Sequence, residues 1–307
     1  MSPLPTRTAA EQTRRVGVAS VEPEGWETSR LIAAIRERGV DPLIFDVSQT
    51  IVRVGKGKRH FEYQKNDLTK LEGILTRAIP GGSLEQVILR MDVLHCLERL
   101  GIPFMNTPAS IEKAVDKYYT LGLLEMAGVP VPRTTVTQNA YDALRAFRQY
   151  GDAVVKPLFG SGGVGMTRVS DPEVARRVFR ALEASRYVMY VQEYLEHGNR
   201  DVRVLVLGGD AIAAMYRVGP GWKTSVRQGA RPESCKLSSD LAQLAVKCAA
   251  AIGLEYAGVD ILETDHGLIV TEVNSSSGWQ GLQQVTRFDI ADRIVNRFFQ
   301  IIEQARG

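Results

Sequence analysis

What this chain can fold into is constrained most by two apolar, β-branched runs near its C-terminus, Ala257-Gly258-Val259-Asp260-Ile261-Leu262 and Val270-Thr271-Glu272-Val273-Asn274. Oxygen-bearing side chains interrupt each run. The link between them carries Asp265-His266-Gly267, which predicts a hairpin loop with glycine where a positive φ is needed. A three-residue loop at 265–267 sets Asp260 directly opposite Glu272. Glu272 and Asn274 are two apart and so share a strand face. Two carboxylates and an amide then converge on one surface of an otherwise apolar hairpin, a donor set that suits Mg²⁺. Alone, the same pattern also describes an exposed polar face on an edge hairpin, and the rest of the chain decides between the two.

At 307 residues the chain is long enough for two or three subdomains with cores of their own. A net charge of +3, with basic residues spread out and no aromatic-rich basic stripe, argues against a nucleic acid partner. Cys96, Cys235 and Cys248 are far apart and odd in number, and their spacing suggests neither zinc nor a disulfide framework. Cys248 shares an apolar helix face with Leu241, Leu244, Ala245 and Ile252, which predicts core packing. Reduced thiols, no secretory segment and no membrane-length apolar run lead us to expect a cytoplasmic protein without a membrane partner. Residues 1–13 are polar, contain two prolines and are expected to be disordered.

Val16-Gly17-Val18-Ala19, Leu43-Ile44-Phe45-Asp46-Val47 and Leu71-Glu72-Gly73-Ile74-Leu75 read as strands alternating with helices at Thr28–Arg38 and Leu84–Leu100. That alternation predicts a small parallel α/β domain, and no GxGxxG follows the first strand to support dinucleotide binding. Ser110–Ala127 reads as one helix capped by Ser110 and stopped by Gly128. Val129-Pro130-Val131-Pro132 cannot be helical and is expected to mark a domain crossing. Further strands are expected at Ala153–Lys156, Thr167–Val169, Tyr190–Glu193, Val202–Leu207 and Ala211–Met215, and further helices at Pro172–Ala184, Leu241–Ile252 and Ile290–Gln304.

After the strand ending in Lys156 comes Phe159-Gly160-Ser161-Gly162-Gly163-Val164-Gly165. Glycines let backbone N–H groups turn toward an anion, and the lysine adds a charge. No Gly-Lys-Ser/Thr follows, so this is not a Walker loop. It lies between two strands, as a lid over phosphates would, though a plain hairpin turn has the same composition.

Six motifs now stand in order: Asp116-Lys117; Val155-Lys156-Pro157 with the glycine loop; Gln192-Glu193-Tyr194; Asp201-Val202-Arg203; Gly258-Val259-Asp260; and Glu272-Val273-Asn274. Together they resemble the ATP-grasp superfamily, and within it the RimK-type α-L-glutamate ligases. The resemblance implies an α/β ATP-grasp fold with a parallel pre-ATP-grasp domain (14–108), a central lid subdomain (109–194) and a C-terminal α+β subdomain (195–307). It implies that Lys117, Lys156 and the loop residues Gly160, Ser161, Gly162 and Gly163 contact ATP phosphates. Gln192, Glu193, Tyr194 and Leu195 would form the adenine hinge, with Asp201 near the ribose or substrate. Asp260, Glu272 and Asn274 would hold two Mg²⁺ ions, which Mn²⁺ can replace, and Arg203 and Arg217 would act catalytically near the γ-phosphate and acyl intermediate. Arg227 and Ser225 would face the acceptor. Two positions depart from the family pattern: Ser277 stands where proline is usual, and Ser225 where many relatives have asparagine.

The implied chemistry is an ATP- and Mg²⁺-dependent ligation. A carboxylate becomes an acyl phosphate, which an amine displaces to give an amide and ADP. That demands positioning, charge neutralisation and exclusion of water, and no nucleophilic triad. L-Glutamate is the implied amine. The acceptor would be a tetrahydromethanopterin- or methanofuran-like cofactor or a peptide, the first favoured by Gly278-Trp279-Gln280-Gly281-Leu282-Gln283. A dipeptide or lysine-biosynthesis type ligase and an ATP-binding regulator of synapsin type are the alternatives, and a homo-oligomer, dimer or tetramer, is expected. His60, His95, His197 and His266 are read as structural or exposed, and Tyr118-Tyr119 as packing.

Overall fold

The computed structural model describes residues 14–55, 58–160 and 163–307. The expected disorder of residues 1–13 and the assignments to Ser161 and Gly162 lie outside these. The chain divides into two compact units, 1–105 with 291–307 and 106–290.

In the first unit, β1 (Arg15–Ala19), α1 (Trp26–Arg36), β2 (Asp41–Phe45), β3 (Ile51–Gly55), β4 (Lys58–Tyr63), β5 (Asn66–Asp67), β6 (Ile74–Thr76), α2 (Leu84–Arg99) and β7 (Phe104–Met105) follow in order. The sheet order β2-β1-β6-β7 is parallel throughout, as the strand–helix alternation predicts. Val16, Val18, Phe45, Ile74 and Leu94 are fully buried between its layers. The third strand begins at Ile74 rather than Leu71, because Leu71 closes a 3₁₀ turn over Leu68–Lys70. β3, β4 and β5 form a separate three-stranded antiparallel sheet that the sequence reading did not anticipate.

The second unit starts with two helices, α3 (Pro108–Val115) and α4 (Lys117–Met126), where one was expected. Asp116 breaks the run: its backbone is extended, and its carboxylate accepts from the N–H groups of Tyr118 and Tyr119. Thr107, not Ser110, caps α3. Tyr118 and Tyr119, read as packing residues, sit on the exposed first turn of α4. Next come β8 (Thr134–Thr137), α5 (Ala140–Tyr150), β9 (Ala153–Lys156), β10 (Thr167–Val169), α6 (Pro172–Ala184) and β11 (Met189–Glu193). Their sheet, β10-β9-β11-β8, is antiparallel, and Phe147 of α5 and Phe179 of α6 pack on Val155 and Val191. Then follow β12 (Arg200–Leu207), β13 (Asp210–Val218), β14 (Arg231–Ser234), α7 (Ser239–Ile252), β15 (Tyr256–Thr264), β16 (Gly267–Asn274) and α8 (Gln280–Gln284). The five-stranded sheet runs β14-β13-β12-β15-β16, and α7 buries Leu241, Ala245, Cys248 and Ile252 against it. Burial pushes the Cys248 thiol up to about 12, which suits its expected core role. Val129–Pro132 marks no crossing between units; the Pro130 carbonyl accepts from the N–H of Val270 on β16.

The last helix, α9 (Ile290–Gln304), matches its expected span, but residues 291–307 belong to the first unit rather than with 195–290. There Phe298 and Ile302 are buried, and Arg306 pairs with Glu72 at 2.8 Å.

Asn106 opens the second unit and is only 1% exposed. Its amide nitrogen donates to the carbonyls of Tyr256 (2.7 Å) and Ser275 (2.9 Å). Its oxygen accepts from the N–H groups of Glu255 (2.8 Å) and Tyr256 (2.9 Å). The side chain thus ties the start of β15 to the turn after β16. Asn106→Ala strands several buried backbone groups, and urea unfolding should register a loss of about 3 kcal/mol or more.

Candidate active site

Side-chain alternation divides the five-stranded sheet into two chemically distinct faces. Val202, Val204 and Val206 of β12 and Val259 and Ile261 of β15 point into the core under α7. Asp201, Arg203 and Asp260 therefore point the other way. Register aligns them: Arg203 is opposite Asp260, Asp201 opposite Arg217, and Asp260 opposite Glu272. The last pairing has a different origin from the one expected. The loop is two residues, Asp265-His266, since Thr264 pairs with Gly267, whose φ is +100°. A β-bulge after Asp260 then shifts the register by one, so that Ile261 faces Val270 and Asp260 faces Glu272. The Thr271 hydroxyl donates to the Asp260 carbonyl there (3.3 Å). The bulge explains why Val270 and Val273, three apart, are both buried while Glu272 and Asn274 keep the polar face.

A buried chain of ion pairs crosses this face. Arg203 grips Asp260 with two nitrogens, Nη2 donating to Oδ2 at 2.8 Å and Nε to Oδ1. Arg217 reaches the same Asp260 Oδ2 at 2.9 Å and donates through Nε to Asp201 Oδ1 at 2.8 Å. The Thr224 hydroxyl closes one end on Asp201 Oδ2 (2.6 Å) and Ser277 Oγ the other on Arg203 Nη1 (2.6 Å). Burial alone would raise the Asp260 pKa, but the charges of Arg203 and then Arg217, with their hydrogen bonds, hold it below the ordinary carboxylate value. Burial likewise disfavours the Arg217 charge, and Asp260 and Asp201 more than offset it. A depressed folded pKa makes the Asp260 contribution fully present above its unfolded value near 3.8 and lost as pH falls through the lower folded value.

Two lysines stand near Glu272. Lys156, at the end of β9, donates to Gln192 Oε1 at 2.6 Å, and Gln192 donates onward to Thr134 Oγ1 at 3.0 Å. Lys117, the first residue of α4, donates to the Gly160 carbonyl at 2.5 Å. Burial lowers the pKa of both ammonium groups, and the Glu272 carboxylate is the strongest influence pulling each back up. No hydrogen bond or ion pair engages the Glu272 side chain among the described residues.

The glycine loop joins β9 to β10, two antiparallel strands, and the Lys223 ammonium donates to Met166 O at its far end (2.8 Å). Gly163 has φ +74°. In the expected hinge, Glu193 does not offer a free acceptor: its carboxylate accepts from Arg133 N (2.7 Å) and Arg133 Nε (2.6 Å). The N–H groups of Glu193 and Tyr194 donate to Arg133 O and Asp152 O, and the Tyr194 ring lies 3.4 Å beneath the Arg168 guanidinium. A base docking here would meet Leu195, whose N–H has no partner among the described residues. Asp201, expected near the ribose or substrate, accepts from Arg217 and Thr224. Ser225 precedes a 3₁₀ turn at Val226–Gln228 that contains Arg227, whose side chain lies outside the described residues. Sequence reasoning missed Thr224 and Thr134; the only signal for Thr224 was its place beside Ser225. His197 faces the carbonyls of Leu195 (2.7 Å) and Trp222 (3.1 Å), consistent with its structural reading.

Residues 114–298 match the RimK-like ATP-grasp domain and residues 15–111 the RimK PreATP-grasp domain. The chain belongs to the RimK-like ATP-grasp family. It is an ATP-dependent, ADP-forming ligase of that family. It is 31% identical to the tetrahydromethanopterin:alpha-L-glutamate ligase of Methanosarcina acetivorans, over 94% of this chain and all of that protein. Identity to the protein of the same name from Methanococcus maripaludis is 33%, over 92% and 97%. Among solved structures, the ATP-grasp ligase PsnB complexed with minimal precursor superposes with a TM-score of 0.75 at 23% identity, covering 94% of this chain and 99% of that one, a likeness of fold.

In this RimK-like ligase the residues expected to hold Mg²⁺, Asp260, Glu272 and Asn274, offer two carboxylates and an amide. No cluster of three or more His, Cys, Asp or Glu side chains occurs among the described residues. Asp260 has about four lone-pair sites, of which Arg203 and Arg217 occupy three. Glu272 is unengaged among the described residues, and the buried Asn274 amide nitrogen has no partner among them, so no contact of that nitrogen fixes the direction in which the amide oxygen faces. The set fits a hard cation that completes its shell with water and phosphate oxygens. No helix among the described residues is long and apolar enough to cross a membrane.

Proposed function

We propose that this ligase joins the amino group of L-glutamate to the carboxylate of a small cofactor of tetrahydromethanopterin or methanofuran type. One observation carries the chemistry: Arg203 and Arg217 grip Asp260 on the sheet face where Asp260 is paired with Glu272, and Lys117 and Lys156 lie close enough to feel the Glu272 charge. The acceptor class follows the relatives at 31% and 33% identity, which align along nearly the full length of both chains.

The acceptor carboxylate attacks the γ-phosphorus of ATP, giving an acyl phosphate and ADP. The glutamate amine, as its free base, then adds to the acyl carbon; the bond to phosphate breaks with its electrons going to phosphate, and the nitrogen gives up one proton to the departing phosphate or solvent. Both transition states gather negative charge on phosphate oxygens. Lys156 and Lys117 are set to neutralise that charge from the lid side, and Arg203 and Arg217 from the sheet side. Asp201 holds Arg217 in place rather than touching nucleotide. Asp260, Glu272 and Asn274 would hold Mg²⁺, two ions in our reading, and when bound the metal supplies further neutralisation of the phosphates. Leu195 and its neighbours would take the base through backbone groups.

Acidic acceptors suit the loop 219–231, which carries Lys223, Arg227 and Arg231. Arg227→Ala should raise the acceptor KM more than the ATP KM and flatten the salt dependence of acceptor binding. Equal effects on both substrates in steady-state kinetics would remove Arg227 from the acceptor site. The reading itself is tested by incubating the protein with Mg-ATP, glutamate and a cofactor panel, and looking by mass spectrometry for one added glutamate residue.

A further inference from the structure

Arg203 has three nitrogens and five N–H donors. Two nitrogens close on Asp260, and the third, Nη1, donates to Ser277 Oγ at 2.6 Å. Ser277 is only 3% exposed, and its own hydroxyl points back toward the Gly278 carbonyl at 3.4 Å. The Tyr256 hydroxyl donates to the Ser277 carbonyl, while Asn106 pins both Tyr256 and Ser275. The turn after β16 is therefore held from three sides.

The approach of Ser277 to Arg203 is possible only because residue 258 has no side chain. A Cβ on Gly258 would lie 2.1 Å from Ser277 Oγ, 2.5 Å from Ser277 Cβ and 3.2 Å from Arg203 Cδ. No positive φ is recorded at Gly258, so the requirement there is space and not backbone freedom. Gly258 and Ser277 form a matched pair, one leaving the gap that the other fills. Proline, which Ser277 replaces relative to the family pattern, has no hydroxyl to accept from an arginine.

We propose that Ser277 is a positioning residue that locks the Arg203 guanidinium from its outer edge, so that the plane set by Asp260 cannot tilt. The inference rests on the ligase reading above, in which Arg203 neutralises phosphate charge. With Ser277 in place, one hydrogen on Nη1 and one on Nη2 remain for an anionic oxygen. Without it, Nη1 loses its only acceptor among the described residues, and the guanidinium is held along one edge. Small misplacements of this kind lower the rate of the chemical step more than they lower binding.

Ser277→Ala should reduce kcat about ten-fold, the cost of one hydrogen bond to a charged group, while the ATP Kd from calorimetry stays within about two-fold. A double-mutant cycle gives the decisive reading. In an Arg203→Lys background, Ser277→Ala should change kcat by less than about two-fold, because lysine lacks the third nitrogen. An equal, additive loss of kcat in both backgrounds would overturn the inference, as would full activity of Ser277→Ala. So would a loss of ATP affinity parallel to the loss of rate. Urea unfolding of the same four proteins measures the 203–277 coupling without reference to catalysis. Absence of coupling there overturns the inference even if the wild type forms no amide, whereas an inactive wild type with intact coupling overturns the ligase reading and with it any catalytic role for Ser277. Gly258→Ala should reproduce the kcat loss from the opposite side of the contact, and normal kcat in a folded Gly258→Ala protein would also count against it.

Discussion

Glu272→Gln is expected to reduce amide formation roughly a thousand-fold while leaving the protein folded. The side chain is half-buried and unengaged among the described residues, so an isosteric amide leaves no partner stranded. What disappears is charge. Lys117 and Lys156 are both pulled toward their charged forms by Glu272, against the burial that lowers them. The proposed Mg²⁺ set also falls from two carboxylates to one. Asp260→Asn is a poorer test of the same idea. It leaves Arg203 and Arg217 without their shared counter-charge in a buried place, which costs about 3–5 kcal/mol by analogy with broken buried pairs. Activity would then be lost with the fold. Steady-state rates beside thermal unfolding curves separate the two cases, and near wild-type turnover of Glu272→Gln would show that the metal face is misassigned.

Lys156→Ala should weaken ATP binding roughly ten- to hundred-fold, the loss of a charge-assisted contact in a protected site. Its pH dependence distinguishes this lysine from an ordinary surface one. Burial holds the free Lys156 ammonium below the ordinary lysine value of 10.5, and a bound phosphate would raise it again. Binding then requires proton uptake once pH exceeds the lowered free-state value. Wild-type ATP affinity should therefore fall with rising pH at values below 10.5, and the Lys156→Ala protein should lose most of that slope. Calorimetry across pH with Mg-ATP checks both. Unchanged affinity in the variant would remove Lys156 from the phosphate site.

The pairing of Asp260 with Glu272 was legible because alternation and a short loop fix a hairpin's register within narrow limits. It arose, however, through a two-residue loop and a bulge at Thr271, two offsets that cancel. Nothing in Val270-Thr271-Glu272 announces a bulge, since threonine suits a regular strand equally well. The parallel sheet of the first unit was legible from buried runs such as Val16-Gly17-Val18-Ala19. The β3–β5 sheet was not. All of β3 is exposed, and the turn into β5 places Gln64 and Lys65 at positive φ, where glycine or asparagine would have been the signal.

The split at Asp116 was hidden because an acidic residue inside an apolar pattern reads equally as a solvent-facing helix position. As an N-cap it does more, fixing Lys117 at the first position of α4. For the candidate site, the motifs and the resemblance they carry pointed to Lys117, Lys156, Arg203, Arg217, Asp260 and Glu272, but not to which of them pair. Asp201 and Glu193 illustrate the gap. A carboxylate in a motif is visible in sequence, while the arginine that occupies it, Arg217 or Arg133, becomes visible only through strand register and loop path.

Ligation of glutamate through an acyl phosphate is tested most directly by following all of its products at once. The protein is incubated with Mg-ATP, L-glutamate and a tetrahydromethanopterin-type carboxylate, and nucleotide and acceptor products are read together by mass spectrometry. The expected result is ADP and phosphate formed in step with an acceptor heavier by one glutamate residue, with neither product accumulating when glutamate or acceptor is left out. AMP as the nucleotide product would contradict the acyl-phosphate route, and ATP binding without any glutamate adduct across pterin, furan and peptide carboxylates would contradict glutamate ligation itself.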